Sequence, residues 1–468
     1  MNRFIQFINR EKELEFLEKE IKKPASFTVI YGRRRVGKSE LLKEFLKGKK
    51  SLYLLAVQEV EKEIINDFSK DAGDFFKDDS LILNPISEFS IFMEYLKKKN
   101  LNEIMLVFDE FPYLVDANKA ILSILQKYWD MNFREKGAHI ILCGSSIGSM
   151  ETEVLGRKSP LYGRRTGQWK VDPLYFREAM KFFPHLNIEK CIEFYSMSGG
   201  IPLYIIELDE KKSIFENARD AFASRGSLLF QEPEIILKEE LREPKTYFSI
   251  LKEVSRGKNT INDLANAIGI ERTAITRYMD TLIELDLLEP IQPITSIEKS
   301  RKTIYSIKDN CMKFWFLFIY PFKSDLDSFV FQNFQKYFEN NFNSYVGKTF
   351  EKICAEAIRI SNPIKSTNIG TWWGAYREDG ERKTAEIDIV SINDETNQIL
   401  FAECKWKKNV DAMKILDELQ EKAGFVDWKS ERRKEVFAVF AKSFKERTIM
   451  GKNILLYDLD DLEKIFNK

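Results

Sequence analysis

The feature that most constrains this sequence is a glycine- and arginine-rich turn between a β-branched run and a helix-favouring segment. Residues 27–42 read FTVIYGRRRVGKSELL, and Gly32 to Ser39 match the pattern G-x-x-x-x-G-K-S/T at every fixed position. Glycines let backbone N–H groups turn inward around phosphate oxygens, and the N-terminus of the following helix adds partial positive charge. The order of strand, glycine loop and helix therefore predicts a phosphate-binding loop and disfavours a chance glycine turn.

This loop predicts a nucleotide site that includes Mg²⁺. We expect Lys38 to reach the β- and γ-phosphates, where its ammonium supports catalysis, and the Ser39 hydroxyl to face the metal ion. The candidate nucleotide-contacting residues of the loop are Gly32, Arg33, Arg34, Arg35, Val36, Gly37, Lys38, Ser39 and Glu40.

Two carboxylates follow a second buried strand. Residues 103–113 read EIMLVFDEFPY, in which an apolar run ends at Asp109 and Glu110. Such a run is typical of a parallel strand covered on both faces, and ligands bind at the C-terminal ends of strands in open α/β sheets. We expect Asp109 to hold Mg²⁺ through water and Glu110 to polarise the attacking water. An acidic turn without a role is the alternative, and the phosphate loop upstream favours the catalytic interpretation.

Two polar turns are further candidates for the same site. The buried strand AHIILC ends in Gly144, Ser145 and Ser146, and a serine there either contacts the γ-phosphate or the attacking water, or simply forms a turn. The segment PLYGRRT places Arg164 and Arg165 together. An arginine finger, acting on its own site or on that of a second copy, and a solvated basic turn are both open interpretations.

Taken in order, several of these segments resemble the archaeal ATPase family, which are P-loop ATPases of the AAA/STAND kind. The matching segments are FINREKE, GRRRVGKS, LVFDE, LCGSS, PLYGRRT and SGGIP. The resemblance covers about the first half of the chain. It implies ATP as the nucleotide, and an α/β core with a small helical lid whose Gly-Gly-x-Pro segment lies near that nucleotide. By matching position it implies nucleotide roles for Gly32, Gly37, Lys38, Ser39, Asp109 and Glu110.

Composition narrows the class of protein. Lys+Arg and Asp+Glu both number 73, so the net charge gives no global argument for nucleic acid. The five cysteines contain no C-x-x-C pair, which is typical of a reduced intracellular protein without a cysteine zinc site. The N-terminal residues turn charged before any long apolar core, and the longest apolar run, residues 314–322, is too short to span a bilayer. We expect a cytoplasmic protein without a membrane partner.

The middle of the chain predicts a winged helix-turn-helix. Residues 247–255, 260–267 and 271–285 have helical patterns, and residues 288–307 alternate around a basic tip. Three helices followed by a β-ribbon are the elements of that motif.

Two roles for this winged helix remain open. DNA contact would use Arg272, Thr273, Thr276 and Arg277 in a groove, with Lys299, Arg301 and Lys302 of the wing on phosphates. The third helix also carries Glu271, Asp280 and Glu284, so it is not a basic stripe. In the STAND-like ATPases that this chain resembles, the winged helix often packs on the ATPase core as a regulatory lid.

Two apolar strands near the C-terminus carry charges in mid-run. Asp388 interrupts AEIDIV, and Glu403 and Lys405 interrupt ILFAECKW. Residues two apart share a face of a strand, so Glu403 and Lys405 are expected side by side, with Asp388 near them on the neighbouring strand. Burying such charges costs several kcal/mol unless they are paired or bind metal. A functional site is therefore favoured over a solvated face.

This part of the chain resembles the PD-(D/E)XK nuclease fold. A helix that carries Glu351 comes first, a strand with Asp388 follows, and one hairpin later comes the acid-x-lysine pattern. By position the resemblance implies that Asp388 and Glu403 are Mg²⁺ ligands, that Lys405 is the catalytic lysine and that Glu351 is an outer acid. Ile387 stands where the strict pattern has proline. A nuclease-shaped module that binds without cutting is the alternative.

Together these patterns predict an α/β protein of four parts. They are a P-loop core at 1–175, a helical lid at 176–240, a winged helix-turn-helix at 241–325 and a restriction-endonuclease-like α/β domain at 326–468. The predicted function is ATP binding and hydrolysis that gates a Mg²⁺-dependent nuclease-like domain acting on DNA. The alternative is an ATP-dependent switch that binds DNA or a protein without cleavage. DNA and a second copy of the chain are the predicted partners.

Overall fold

The computed structural model describes residues 7–296, 302–378, 381–447, 451 and 453–467, and it divides into two units. The first unit runs to Pro173 and includes Ile201–Leu203. The second comprises Leu174–Gly200 and the residues from Tyr204 onward.

A parallel five-stranded sheet forms the centre of the first unit, which confirms the predicted α/β class. Its strands are β1 (Ser26–Tyr31), β2 (Ser51–Leu55), β3 (Met105–Asp109), β4 (His139–Gly144) and β5 (Gly167–Lys170). Their order is β2-β3-β4-β1-β5, and every neighbouring pair is parallel. In a sheet of this order the C-terminal ends of β1, β3 and β4 lie along one edge. The phosphate loop, the acidic pair and the serine turn follow those three strands.

Helices cover this sheet on both faces, which explains why β1, β3 and β4 are buried at every position. The helices are α1 (Glu11–Ile21), α2 (Lys38–Leu46), α3 (Glu61–Phe76), α4 (Asp79–Leu83), α5 (Phe89–Lys97), α6 (Phe111–Ala117), α7 (Ala120–Tyr128) and α8 (Ile147–Ser149). The sequence pattern predicts Asn9 as the N-cap of α1, and this prediction is wrong. Asn9 and Arg10 both have positive φ, and Arg10 occupies the N-cap position, where its guanidinium has no acceptor atom with which to cap the helix.

The second unit begins with helices. They are α9 (Phe176–Ala179), α10 (Ile188–Ser198), α11 (Pro202–Ile205, which starts in the first unit), α12 (Ile214–Asn217), α13 (Leu228–Glu240), α14 (Pro244–Ser255), α15 (Ile261–Ile268) and α16 (Arg272–Glu284). An antiparallel ribbon, β6 (Leu288–Ile291) and β7 (Ile304–Ile307), follows α16. Thr260 caps α15 by accepting from the backbone N–H of Asp263, and Gly269 ends it at a φ of 75°. The predicted wing residues Lys299 and Arg301 lie outside the described residues.

A mixed five-stranded sheet forms the C-terminal part of this unit. Helices α17 (Asn310–Phe314), α18 (Lys323–Asp327) and α19 (Gln332–Ser361) precede it. The remaining elements are β8 (Asn368–Glu378), β9 (Glu381–Asn393), β10 (Gln398–Lys405), α20 (Ala412–Gly424), β11 (Lys434–Ala441), β12 (Ile454–Tyr457) and α21 (Leu459–Phe466). The order is β12-β11-β10-β9-β8, in which β8, β9 and β10 are antiparallel and β10, β11 and β12 are parallel.

Aromatic packing joins residues on the two sides of the predicted boundary at 325/326. Phe314 and Phe318 stack with ring centroids 4.9 Å apart, and Phe318 lies 5.7 Å from Phe338 of α19. Phe338 in turn stacks on Phe342 at 4.5 Å. Phe314 and Phe318 of the apolar run at 314–322 are thus buried against α19. In the described part of the chain no helix is both long and apolar enough to cross a membrane.

A half-buried carboxylate on α19 makes the stability of the second unit depend on pH. Glu356 accepts the backbone N–H groups of Phe176 and Arg177 at 3.0 Å each, at the start of α9. Burial raises the pKa of Glu356 from 4.5 to about 7, and Glu178 adds to this while the two backbone N–H groups and Arg359 oppose it. The folded state therefore holds an extra proton between these two pH values. The stabilisation is present at low pH and is lost as pH rises through about 7.

We expect the thermal midpoint of the wild-type protein to fall relative to that of Glu356→Gln as pH rises from about 5 to about 8. The rise of the Glu356 pKa from 4.5 to about 7 is worth at most about 3 kcal/mol, or about 5 °C of differential shift. Scanning calorimetry over this pH range measures it. Glu339→Gln, an exposed change on the same helix, is the control and should follow the wild type. Parallel profiles for wild type and Glu356→Gln would contradict the assignment.

Candidate functional site

The loop between β1 and α2 has the backbone that phosphate binding requires. Gly32 has a φ of 153°, and a Cβ there would lie 2.3 Å from the carbonyl oxygen of Val171. Gly37, at a φ of 94°, directly precedes α2. A Cβ on Gly37 would lie 3.9 Å from Cγ of Pro202, so the Gly-Gly-x-Pro proline lies beside the loop within the first unit. Only glycine suits these two loop positions.

Lys38, the first residue of α2, lies under the loop. Its Nζ donates to the carbonyl oxygens of Gly32 at 2.9 Å and Arg33 at 3.0 Å, and the residue is 5% exposed. Burial lowers the pKa of Lys38, while Cys143, Glu110 and Asp109 oppose that shift. A buried ammonium among loop carbonyls is held where the terminal phosphates of a nucleotide would lie.

The predicted Mg²⁺ residues meet directly. The Ser39 hydroxyl donates to Oδ2 of Asp109 at 3.0 Å, and Asp109 is 1% exposed. The Tyr53 hydroxyl donates to the same Oδ2, and burial, with the Asp109 charge, raises the pKa of Tyr53. A hydroxyl and a carboxylate oxygen that converge beside a phosphate loop are the hard ligands that Mg²⁺ takes from a protein. Ser39 and Asp109 therefore fit this metal ion.

Glu110 and Ser145 are brought together by the strand order. The backbone N–H and the hydroxyl of Ser145 both donate to Oε2 of Glu110, at 3.1 and 2.7 Å. Glu110 itself has a φ of 50°, and its N–H donates to Oδ1 of Asp109 at 2.9 Å. The carboxylate is therefore oriented by β4, the strand between β3 and β1, as a base that acts on a water would need to be.

The loop arginines and Glu40 occupy different surroundings. Arg34 donates to the Tyr113 hydroxyl at 2.7 Å, and Arg33 is buried. Arg35 adopts a positive φ of 68°, and Val36 is fully buried. The side chain of Glu40 is exposed and pairs with Lys43 at 2.7 Å.

Arg164 and Arg165 differ in their partners. Arg164 pairs with Asp130 at 3.0 Å. Arg165 donates to the carbonyl oxygen of Leu155 at 3.3 Å, and its charge interacts with Tyr31, the last residue of β1. Burial and Glu151 raise the pKa of Tyr31 to about 12, and Arg165 opposes this shift. Arg165 is therefore the arginine whose charge reaches the strand that leads into the phosphate loop.

Arg10 is a part of this site that the sequence reasoning left without a role. Its guanidinium donates to the carbonyl oxygens of Val36 and Asp172, both at 2.8 Å, and pairs with Glu13 at 2.9 Å. It thus ties the phosphate loop to the segment after β5. The motif FINREKE contains this arginine, but nothing local in the sequence indicates contacts 26 and 162 residues away.

The charged residues of the C-terminal sheet also converge. Strands β9 and β10 pair as far as Ile389 opposite Ala402, and Asp388 and Glu403 are the next residue on each strand. Oδ2 of Asp388 accepts the N–H of Cys404 at 2.8 Å. Glu403 is 3% exposed and pairs with Lys405 at 2.6 Å through one oxygen and with Lys422 at 2.7 Å through the other. Lys422, on α20, was missed because no sequence signal connects that helix to β10.

Burial and neighbouring negative charges raise the pKa values of two acids in this cluster. Burial, then Glu403 and Glu351, raises the pKa of Asp388 to about 7, and burial raises the pKa of Glu351 although Lys348 lies 3.0 Å from it. Among the described residues no three His, Cys, Asp or Glu side chains are grouped closely enough to hold a metal ion. Mg²⁺ is commonly held by one or two carboxylates together with water and substrate phosphate, and two mutually repelling carboxylates fit that arrangement.

Comparison with known proteins agrees with the geometry of the first unit. Residues 7–208 match a family described as an ATPase domain predominantly from Archaea, and residues 315–415 match one described as Archaea bacterial proteins of unknown function. The uncharacterized protein MJECL04 of Methanocaldococcus jannaschii is 33% identical over 464 residues, which cover 97% of this chain and 99% of that protein.

Two solved structures are also similar. The Walker-type ATPase paby2304 of Pyrococcus abyssi has a TM-score of 0.47 at 19% identity, over 66% of this chain and 96% of that one. The ORC2 protein of Aeropyrum pernix, in ADPNP–ADP complexes, has a TM-score of 0.42 at 11% identity, over 66% and 92%. The nearly full-length match to MJECL04 and the match over residues 7–208 carry the assignment: this chain belongs to the archaeal P-loop ATPase family that combines this ATPase domain with a C-terminal region of unknown function.

Proposed function

We propose that this protein binds and hydrolyses ATP in its first unit and uses the nucleotide state to control a nuclease-like site acting on DNA in its C-terminal residues. The convergence of Lys38, Ser39, Asp109 and Glu110 at the C-terminal edge of the parallel sheet carries the ATPase part of this proposal. The DNA-directed part is supported by the paired charges of β9 and β10.

In the ATPase site each residue has a separate task. The loop N–H groups and Lys38 hold the β- and γ-phosphates in place. Mg²⁺, when held by Ser39 and Asp109, neutralises charge on those phosphates. Glu110 orients the attacking water and accepts its proton, while Ser145 sets the direction of the Glu110 carboxylate. Arg164 and Arg165 are the candidates for an arginine that stabilises the transferred charge, in the same chain or in a second copy.

The residues after the ATPase core are proposed to form a helical lid, a winged helix and a nuclease-like domain. Helices α14, α15 and α16 followed by the β6–β7 ribbon support the winged helix. Arg272, Thr273 and Arg277 of α16 and Lys302 of the wing are exposed, as DNA contact requires. Packing of this winged helix on the ATPase core stays the alternative role.

In the nuclease-like site, Asp388 and Glu403 would hold the metal ion, which would activate a water molecule. Lys405, whose side chain is 33% exposed, would position that water or help to deprotonate it. Glu351 supplies negative charge behind Asp388, and Lys422 supplies a second ammonium beside Glu403. A phosphodiester is the substrate that two carboxylates and two lysines suit.

The second candidate function is a nucleotide-dependent switch that grips DNA, or a protein partner, without cutting. One observation favours it: both oxygens of Glu403 are already paired with lysines. A cluster held together by its own ion pairs can bind phosphate through lysine without any metal ion.

A cleavage assay separates the two candidates. Purified protein is incubated with supercoiled, linear and branched DNA and with Mg²⁺ or Mn²⁺, with and without ATP. We expect cutting by the wild type, its loss in Asp388→Ala, and unchanged ATP hydrolysis in that variant. Asp394→Ala, an exposed acid after β9 that pairs with Lys429, is the matched control. Absence of cutting on every substrate, with nucleotide-dependent DNA binding retained, would reject the nuclease proposal and support the switch.

A further inference from the structure

The carboxylate of Asp109 accepts hydrogen bonds from several groups, one of which is the Tyr53 hydroxyl on β2. Oδ1 accepts the N–H of Glu110 at 2.9 Å, and Oδ2 accepts the hydroxyls of Ser39, at 3.0 Å, and Tyr53. Ser39 and Asp109 are the residues that fit Mg²⁺. Tyr53 hydrogen-bonds with both members of that pair, as a donor to the Asp109 carboxylate and also with the Ser39 hydroxyl, so any effect on the metal ion passes through the side chains that would hold it.

Strand register explains why Tyr53 reaches Asp109. Strands β2 and β3 are parallel, with Tyr53 opposite Val107 and Leu55 opposite Asp109. Residues two apart share a face, so Tyr53 and Asp109 lie on the same side of the sheet, in diagonal positions on neighbouring strands. An aromatic side chain spans that diagonal, whereas a short polar side chain at position 53 would not.

We propose that Tyr53 is a positioning residue for the Mg²⁺ half of the ATP site, whose hydroxyl fixes the rotation of the Asp109 carboxylate so that Oδ2 faces Ser39. The terminal torsion of an aspartate is broad, so a carboxylate without a fixed partner samples many orientations. Mg²⁺ demands nearly ideal octahedral geometry and loses affinity when a ligand is misdirected. Groups that orient metal ligands typically contribute about 10–100-fold in metal affinity.

The test is Tyr53→Phe, which removes only the hydroxyl. At saturating ATP we expect the Mg²⁺ concentration for half-maximal hydrolysis to rise about tenfold. Binding of a fluorescent ATP analogue in EDTA should stay within about twofold of wild type, because the phosphate loop is untouched. Binding of Mn²⁺ to the protein–ADP complex, followed by electron paramagnetic resonance, should weaken by the same factor as the Mg²⁺ response without depending on catalysis. A Mg²⁺ requirement that is unchanged or lowered would overturn the proposal.

A matched control and a double mutant separate positioning from general loosening. Tyr128→Phe removes a hydroxyl that donates to Glu94 at 2.9 Å in the same unit, away from the loop, and should leave Mn²⁺ binding at the wild-type value. In an Asp109→Asn background, Tyr53→Phe should lose most of its effect on Mn²⁺ binding, because the larger of its contacts at this site is with that carboxylate. The positioning role of Tyr53 would also be rejected if Tyr128→Phe lost as much Mn²⁺ affinity as Tyr53→Phe. Full additivity of Tyr53→Phe and Asp109→Asn in Mn²⁺ binding would reject it as well.

Discussion

Lys38→Ala will hydrolyse ATP about 100- to 1,000-fold more slowly than the wild type, the range found when one preorganised electrostatic donor is removed from an active site. The reason is the position of the side chain. Lys38 is almost fully buried beneath the loop, with its Nζ on the carbonyl oxygens of Gly32 and Arg33. Alanine removes the buried ammonium and leaves the acids Glu110 and Asp109 near the loop, with Arg34 as a cation whose charge also acts at this position.

Steady-state phosphate release and equilibrium ATP binding both measure the effect of Lys38→Ala. Lys43→Ala is the matched control: it removes a lysine from the same helix whose exposed side chain pairs with Glu40. That variant should retain wild-type turnover. Normal hydrolysis by Lys38→Ala would reject the assignment of the loop as the phosphate site and, with it, the ATPase part of the proposed function.

Glu110→Gln will bind ATP normally and hydrolyse it at least about 100-fold more slowly, as expected when a general base is neutralised. Glutamine keeps the size of the side chain and can still accept from Ser145 through its amide oxygen. The backbone N–H of residue 110 still donates to Asp109, so the Mg²⁺ residues stay in place. Only the proton-accepting carboxylate is lost.

Single-turnover hydrolysis and ATP binding at equilibrium separate chemistry from affinity in Glu110→Gln. Glu63→Gln, at an exposed position in the first turn of α3, is the control and should be unaffected. A variant that loses ATP binding and hydrolysis together would contradict the role of Glu110 as a base and make it a binding residue. If Glu110→Gln binds ATP without hydrolysing it, this ATP-bound variant is also the state in which to test DNA binding.

The predicted parallel sheet and its ligand-binding edge follow from patterns that extend over a few residues. The run before Asp109 is buried at every position because β3 lies inside the sheet with helices on both faces. The C-terminal charges were placed together for a similar reason, since a period of two puts Glu403 and Lys405 on one face of β10. The N-cap of α1 was misplaced because Arg10, whose guanidinium has no acceptor atom, takes that position while its side chain donates to the distant carbonyl oxygens of Val36 and Asp172.

The sequence by itself determined the phosphate loop, the acidic pair and the acid-x-lysine strand, because each depends on local backbone geometry and on neighbours along the chain. Only the tertiary structure decided which side chains complete these sites. Tyr53 on Asp109 depends on the register of two parallel strands, and Ser145 on Glu110 depends on the insertion of β4 between β1 and β3. Lys422 on Glu403 depends on how α20 packs against β10. Such contacts join residues far apart in the chain, and packing and strand order set them rather than local conformational preference.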